Sequence, residues 1–193
     1  ALNWGATPVG SVQFMSRSGA GAEWVAASSK DFSLPAGLED WEFFGHSVAI
    51  DGDLALVGGP GHGSSGAGHV WVYRLVGGVW APVQELTPTG FHSGFGSDVA
   101  ITRGGGDAYF VVGAPGAISD HFYSGQVYLY RWDDFDAWAD HTLTVSEYGF
   151  ASGTSSFGAS LDVEYQSNGI LRLAVGNQWY GGGGPGSGCV DVY

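Results

Sequence analysis

One cysteine, one methionine and one lysine stand among 193 residues, with seven prolines. With Cys189 alone, neither an intrachain disulfide nor a cysteine-built metal cluster can form, and between Gly188 and Val190 it is expected to pack as a small apolar side chain. Basic residues are few: six Lys and Arg face nineteen Asp and Glu, a formal charge of -13. Such a surface repels nucleic acid and anionic lipid, whose binding needs clustered cations. No apolar run approaches the ~18 residues of a membrane-spanning helix. No leader pattern precedes Ala1, so the chain reads as processed or excised.

Signatures of chemistry are missing too. His46, His62, His69, His92, His121 and His141 show no HExxH or other ligand spacing, no Gly-x-Ser-x-Gly elbow supplies a nucleophile, and Gly181 to Gly184 lacks the Lys-Ser/Thr of a phosphate loop. No carboxylate pair argues for glycosidase chemistry and no Asn-x-Ser/Thr acceptor occurs. The chain is therefore expected to have no catalytic residues, no metal site and no cofactor. Asp133, Asp134 and Asp136, the densest carboxylate group, are expected to form a solvated turn.

What is abundant is glycine, at 35 residues, together with 15% aromatic residues. Disordered chains lack such apolar bulk, whereas many short strands with glycine turns accommodate it. The glycines are in register. Phe-Gly pairs begin at 44, 95 and 157; corner glycines fall at 5, 58, 113 and 176; and the glycine of a Gly-x-Val run falls at 10, 68, 125 and 188. Between these anchors lie apolar runs of strand length, such as LALVG, YFVVG and LRLAVG. A period of roughly 50 to 60 residues carrying four strands describes propeller blades. The expected organisation is a single β-propeller region over 1–193, with a partial blade at 1–43, whole blades at 44–94 and 95–156, and a partial blade at 157–193. Arg17, Arg74 and Arg131 recur at one blade position, and Trp24, Trp80 and Trp138 at another, so both sets are expected to be framework.

The order Phe-Gly-x-Ser, Val-Gly-Ala-Pro, Gly-x-Val-x-Tyr resembles the FG-GAP repeat, the blade unit of integrin alpha-subunit propellers, well over 44–193 and in part over 1–43. The third corner departs, reading Val175-Gly176-Asn177-Gln178. The resemblance implies an all-β propeller of four-stranded antiparallel blades, here an incomplete ring that belongs to a longer polypeptide or is completed by another copy. Integrin-type blades often hold calcium between their first two strands. The matching stretches at 51–53, 103–107 and 166–169 lack the spaced oxygen ligands, so calcium is not carried over.

The resemblance places ligand contact on loops 60–67, 116–124 and 177–187, with 30–43, 87–94 and 147–156. Their aromatics beside polar groups, Trp41, Phe91 with His92, His121 with Phe122 and Tyr123, and Trp179 with Tyr180, are the candidate binding residues. The expected function is that of an extracellular structural or adhesive module that contacts other proteins or further copies and segments of its own polypeptide. Carbohydrate binding on the same aromatic platforms is the alternative.

Overall fold

The computed structural model of the chain describes residues 10–26, 43–61, 66–88, 92–119, 122–123, 125–134, 138–146, 156–178 and 189–192. Among them there is no helix, and every sheet is antiparallel. In the first sheet β1 (Met15–Ser16) pairs with β2 (Val25–Ala26). The strand expected over residues 1–9 lies outside the described residues. The second sheet is a four-strand meander of β3 (Ser47–Asp51), β4 (Leu54–Gly59), β5 (His69–Val76) and β6 (Val79–Leu86).

Next comes β7 (His92–Ser93), followed by β8 (Asp98–Gly104), β9 (Asp107–Ala114), β10 (Gly116–Ser119), β11 (Phe122–Tyr123), β12 (Gln126–Asp133) and β13 (Trp138–Ser146). Of these, β8, β9, β12 and β13 form the second four-strand meander, while β7, β10 and β11 form a small sheet of their own. The last sheet holds β14 (Phe157–Tyr165), β15 (Leu171–Asn177) and β16 (Cys189–Val192). The two-stranded sheet, the two four-strand meanders and the last sheet, called blades I to IV, stack face to face in chain order, with β3 and β4 against β8, and β8 and β9 against β14.

Apolar residues on both faces of the middle strands account for the stacking. All six residues of β4 are buried. Leu54 and Leu56 point into a core shared with Val70, Val72, Phe95 and Phe110, while Ala55 and Val57 join Phe44, Trp71, Tyr73 and Phe14 on the opposite face. Blade III meets blade IV through Val111, Val127, Phe157 and Val175. The meander also repeats a fault: β5/β6 shifts register between Val72 and Tyr73, and β12/β13 between Leu129 and Tyr130, at the same blade position. Pro82 stands opposite Tyr73 there, where a residue lacking an amide hydrogen is tolerated.

Glycine explains the joints. Gly96 donates its amide to the Gly113 carbonyl within its own blade at 2.9 Å, and a Cβ added at Gly58 of the preceding blade would overlap the Gly96 carbonyl oxygen. A Cβ at Gly113 would overlap the Gly158 carbonyl in the same way. The Gly-x-Val glycines complete the joint, with Gly10 and Gly125 bridging the backbones of Phe44 and Phe157. Two anchors distant in sequence are thus the two halves of one backbone contact. A further link is polar: the buried Gln84 amide donates to the Ala139 carbonyl at 3.0 Å and accepts its N–H at 2.7 Å, tying β6 to β13.

Several framework expectations need correction. Trp80 is buried and stacks on Phe14 at 4.5 Å, but Trp24 and Trp138 are more than half exposed, so recurrence at one blade position does not give them one role. Cys189 is only partly buried, because it stands on the last strand of the last described sheet. The third corner departs because Asn177 is a cap: its buried side-chain oxygen accepts the Ser156 amide at 3.0 Å.

Candidate partner-binding face

The stack has two unlike ends. At one lie the hairpin turns and their charges. Arg74 reaches Asp53 in the turn of its own blade at 3.4 Å, and Arg131 reaches Asp107 at 2.9 Å. The recurring arginine is therefore a strand-to-turn bridge, and hydrogen bonding to Asp107 raises the Arg131 pKa. Arg17 instead lies over the Trp24 ring at 5.0 Å.

Arg103 crosses from blade III to pair with Asp53 and donates to the Asp51 carbonyl at 3.3 Å. A guanidinium therefore occupies the turn that, in the resembled family, often holds calcium. Asp134 completes the cluster, accepting the Trp132 indole N–H at 2.8 Å and lying 3.6 Å from Arg74 and 3.5 Å from Arg103. This corrects the reading of Asp134 as part of a merely solvated turn: it joins two blades. The pairs are partly exposed, so each contributes modestly. Arg103→Gln is expected to lower stability by about 1 kcal/mol at low ionic strength, a difference that shrinks in high salt when both proteins are unfolded in urea.

At the other end the chain turns into each blade. Residues 43–46 and 94–97 form equivalent tight turns, closed by His46 N–H to Phe43 carbonyl at 2.9 Å and Ser97 N–H to Gly94 carbonyl at 3.0 Å. All three such turns, the third at 156–159, place the Phe-Gly glycine in the left-handed region, and two of them also have a left-handed first residue, which Ser156 of the third is not. In blade III that first residue is Gly94, at φ 79°, but in blade II it is Phe43, at φ 53°. Phe43 is 52% exposed and lines a cleft of about 290 Å³ with His46, Pro60 and Gly61 of blade II and Ser97 of blade III. Comparing FFGHS with GFGSD in the sequence would have flagged Phe43, since it stands where the next unit has glycine.

Beyond Pro115, which lies against Gly94 of the second turn, the expected loop 116–124 is in large part an antiparallel ribbon. Ile118 pairs with Tyr123, Ser119 with Phe122, Ala117 with His92 and Gly116 with Ser93. The backbone positions of His92, Phe122 and Tyr123 are thereby gathered onto one small sheet, carried by the buried Ala117 and accompanied by the exposed Ile118. Strand pairing requires only an extended backbone, and aromatic residues favour it. Trp41, Phe91, His121, Trp179 and Tyr180 lie outside the described residues.

Among the described residues, no group of three or more His, Cys, Asp or Glu is placed to hold a metal ion. The nearest His–carboxylate pair, His69 with Glu85, joins neighbouring strands. No helix of the described residues is long and apolar enough to cross a membrane. Residues 38–73 match the family model described as FG-GAP repeat. The match takes in Phe44-Gly45, the corner at Gly58 and the Gly-x-Val run at Gly68, the anchors that form the joints described above. No curated protein matches the chain.

Proposed function

We propose that this FG-GAP repeat chain is a non-catalytic, extracellular β-propeller module of structural or adhesive kind, which contacts other proteins through the end where the chain turns into each blade. FG-GAP repeats are typically extracellular and usually mediate protein contact, which supports the setting and the partner class.

The observation that carries the reading is Phe43. A bulky residue in the left-handed region costs about 1–2 kcal/mol, and the next blade shows that glycine makes the same turn without that cost. Burial does not account for Phe43, because about half of the residue's surface faces solvent. An exposed aromatic beside Pro60 suits a protein anchor, which gains from apolar contact with a polar edge nearby.

Carbohydrate binding is the second reading, since His46 and Ser97 stand beside the ring. A sugar needs several convergent polar partners, and this cleft offers few. Selection of displayed peptides against the chain, run beside a glycan array, separates the two. Enrichment of peptides with apolar or aromatic anchors is the expected result, and glycan binding without peptide enrichment would replace this reading by the second.

A further inference from the structure

We propose that Arg103 is a built-in cation: its guanidinium fills the β3–β4 turn in place of a calcium ion, so that the joint of blades II and III holds without metal and opens to calcium or a lanthanide ion once the guanidinium is removed. The inference concerns the hairpin-turn end of the stack and does not rest on the reading above.

Calcium takes six to eight oxygen ligands, and the short turn between Asp51 and Leu54 cannot supply them alone. The oxygens it does present are of the kind calcium uses, a backbone carbonyl at Asp51 and a carboxylate at Asp53. Arg103 engages both, donating from Nε to the Asp51 carbonyl at 3.3 Å and from Nη2 to Asp53 Oδ1. Gly52 makes the room, because a Cβ there would stand 3.4 Å from Arg103 Nε, and the guanidinium thus lies against bare backbone. Asp134 of blade III adds a third oxygen, 3.5 Å from Nη1. One planar, permanently charged group gathers a carbonyl and two carboxylates from two blades.

The next joint repeats the reach with different chemistry. Tyr165 stands eight residues after Phe157, as Arg103 stands eight after Phe95. It closes the β8–β9 turn of the preceding blade: a Cβ at Gly104 or Gly105 would overlap its side chain, and its ring stacks on Tyr109 at 5.7 Å. The carboxylate of that turn, Asp107, is bridged by Arg131 of its own blade. The side chain that reaches back therefore matches what the turn presents, a guanidinium over oxygens and a ring over glycines. This recurrence distinguishes the Arg103 contact from an incidental surface ion pair.

Without the guanidinium, Asp53, Asp134 and the Asp51 carbonyl line the place it leaves. Arg74, 3.4 Å from Asp53 and 3.6 Å from Asp134, is then the described cation set against two carboxylates. The carboxylates are 40% and 42% exposed, so water is at hand to complete a metal's shell. Such a ligand set gives a weak site, half-saturated at about 0.1–1 mM calcium.

Thermal midpoints of the full chain, compared at one ionic strength in EDTA and in about 5 mM calcium chloride, test the assignment. The wild type is expected to melt at the same temperature in both. Arg103→Gln is expected to melt lower in EDTA and to recover about half or more of the loss in calcium, with saturable terbium emission sensitised by Trp132, whose indole bonds Asp134. Arg103→Lys keeps a cation in the turn and is expected to show neither response. Tyr165→Ala is expected to lose the same stability in both media, since its turn offers no such oxygens. An Arg103→Gln chain unfolded in EDTA and folded in calcium gives the same answer, whereas one unfolded in both overturns the proposal. Calcium that shifts wild type and Arg103→Gln alike, recovery of Tyr165→Ala by calcium, or terbium emission from Arg103→Gln no greater than from wild type or Arg103→Lys equally overturns it.

Discussion

Gly113→Ala is expected to lower the unfolding free energy by about 3 kcal/mol, a large effect for one added methyl. The reason is separable from backbone conformation, because Gly113 has no positive φ. The methyl would overlap the Gly158 carbonyl oxygen and crowd the Leu161 side chain, which lies 3.4 Å from the Cβ position. The carbonyl belongs to the next blade's backbone and cannot rotate away, so two blades must part. Gly78→Ala is the control. There φ is 84° and nothing lies within 4 Å of an added Cβ, so only the left-handed cost of about 1 kcal/mol remains. Urea unfolding of both variants measures the difference. Equal costs would mean that the corner glycines serve the turn and not the joint.

Stability is expected to collapse between pH 10 and about 12. Burial pushes the phenol of Tyr130 up to about 12 and those of Tyr73 and Tyr128 higher still, the last with a contribution from Tyr130. These three are at most 5% exposed, so solvent screens them little. A phenol is neutral below its pKa, and the folded state resists the charged form. The unfolded chain therefore ionises first, near pH 10. The stabilisation is complete below that value and is lost as pH rises toward the folded pKa, by about 1.4 kcal/mol per pH unit for each phenol and about 4 kcal/mol for the three together. With one lysine in the chain, amines contribute little in that range. Denaturant midpoints at pH 8, 10 and 11 would show the fall, and Tyr130→Phe should reduce its slope by about a third. A flat profile from pH 8 to 11 would mean that these tyrosines are reached by solvent.

The blades were legible in the sequence because their joints are built from glycine backbone contacts, which no other residue can supply. Gly58, Gly96, Gly113 and Gly158 sit in register for one physical reason, and register survives in a bare sequence. Strand content followed from the same source, since apolar runs between glycine and proline corners have few alternatives. Side-chain roles at equivalent positions were less legible. Trp80 is buried by Phe14 of the preceding blade, whereas Trp24 and Trp138 are exposed, and that difference lies in the neighbours. Asp134 looked like one of several turn carboxylates because the arginines that meet it come from positions distant in sequence. Phe43 escaped notice because aromatic content alone does not reveal a left-handed φ.

On the proposed function, Phe43 is held in the left-handed region for contact with a protein. Phe43→Gly removes the ring and the strain together, and the lost apolar contact and the relieved backbone offset each other to within about 1 kcal/mol. The decisive measurement is calorimetric titration of a peptide enriched on the wild-type chain against the Phe43→Gly chain, with the thermal midpoint of each protein recorded alongside. Binding weakened about tenfold or more at a midpoint equal to or above that of the wild type is the predicted result. Unchanged affinity, or a midpoint that falls by several degrees, would show that the ring belongs to the framework and not to a binding surface.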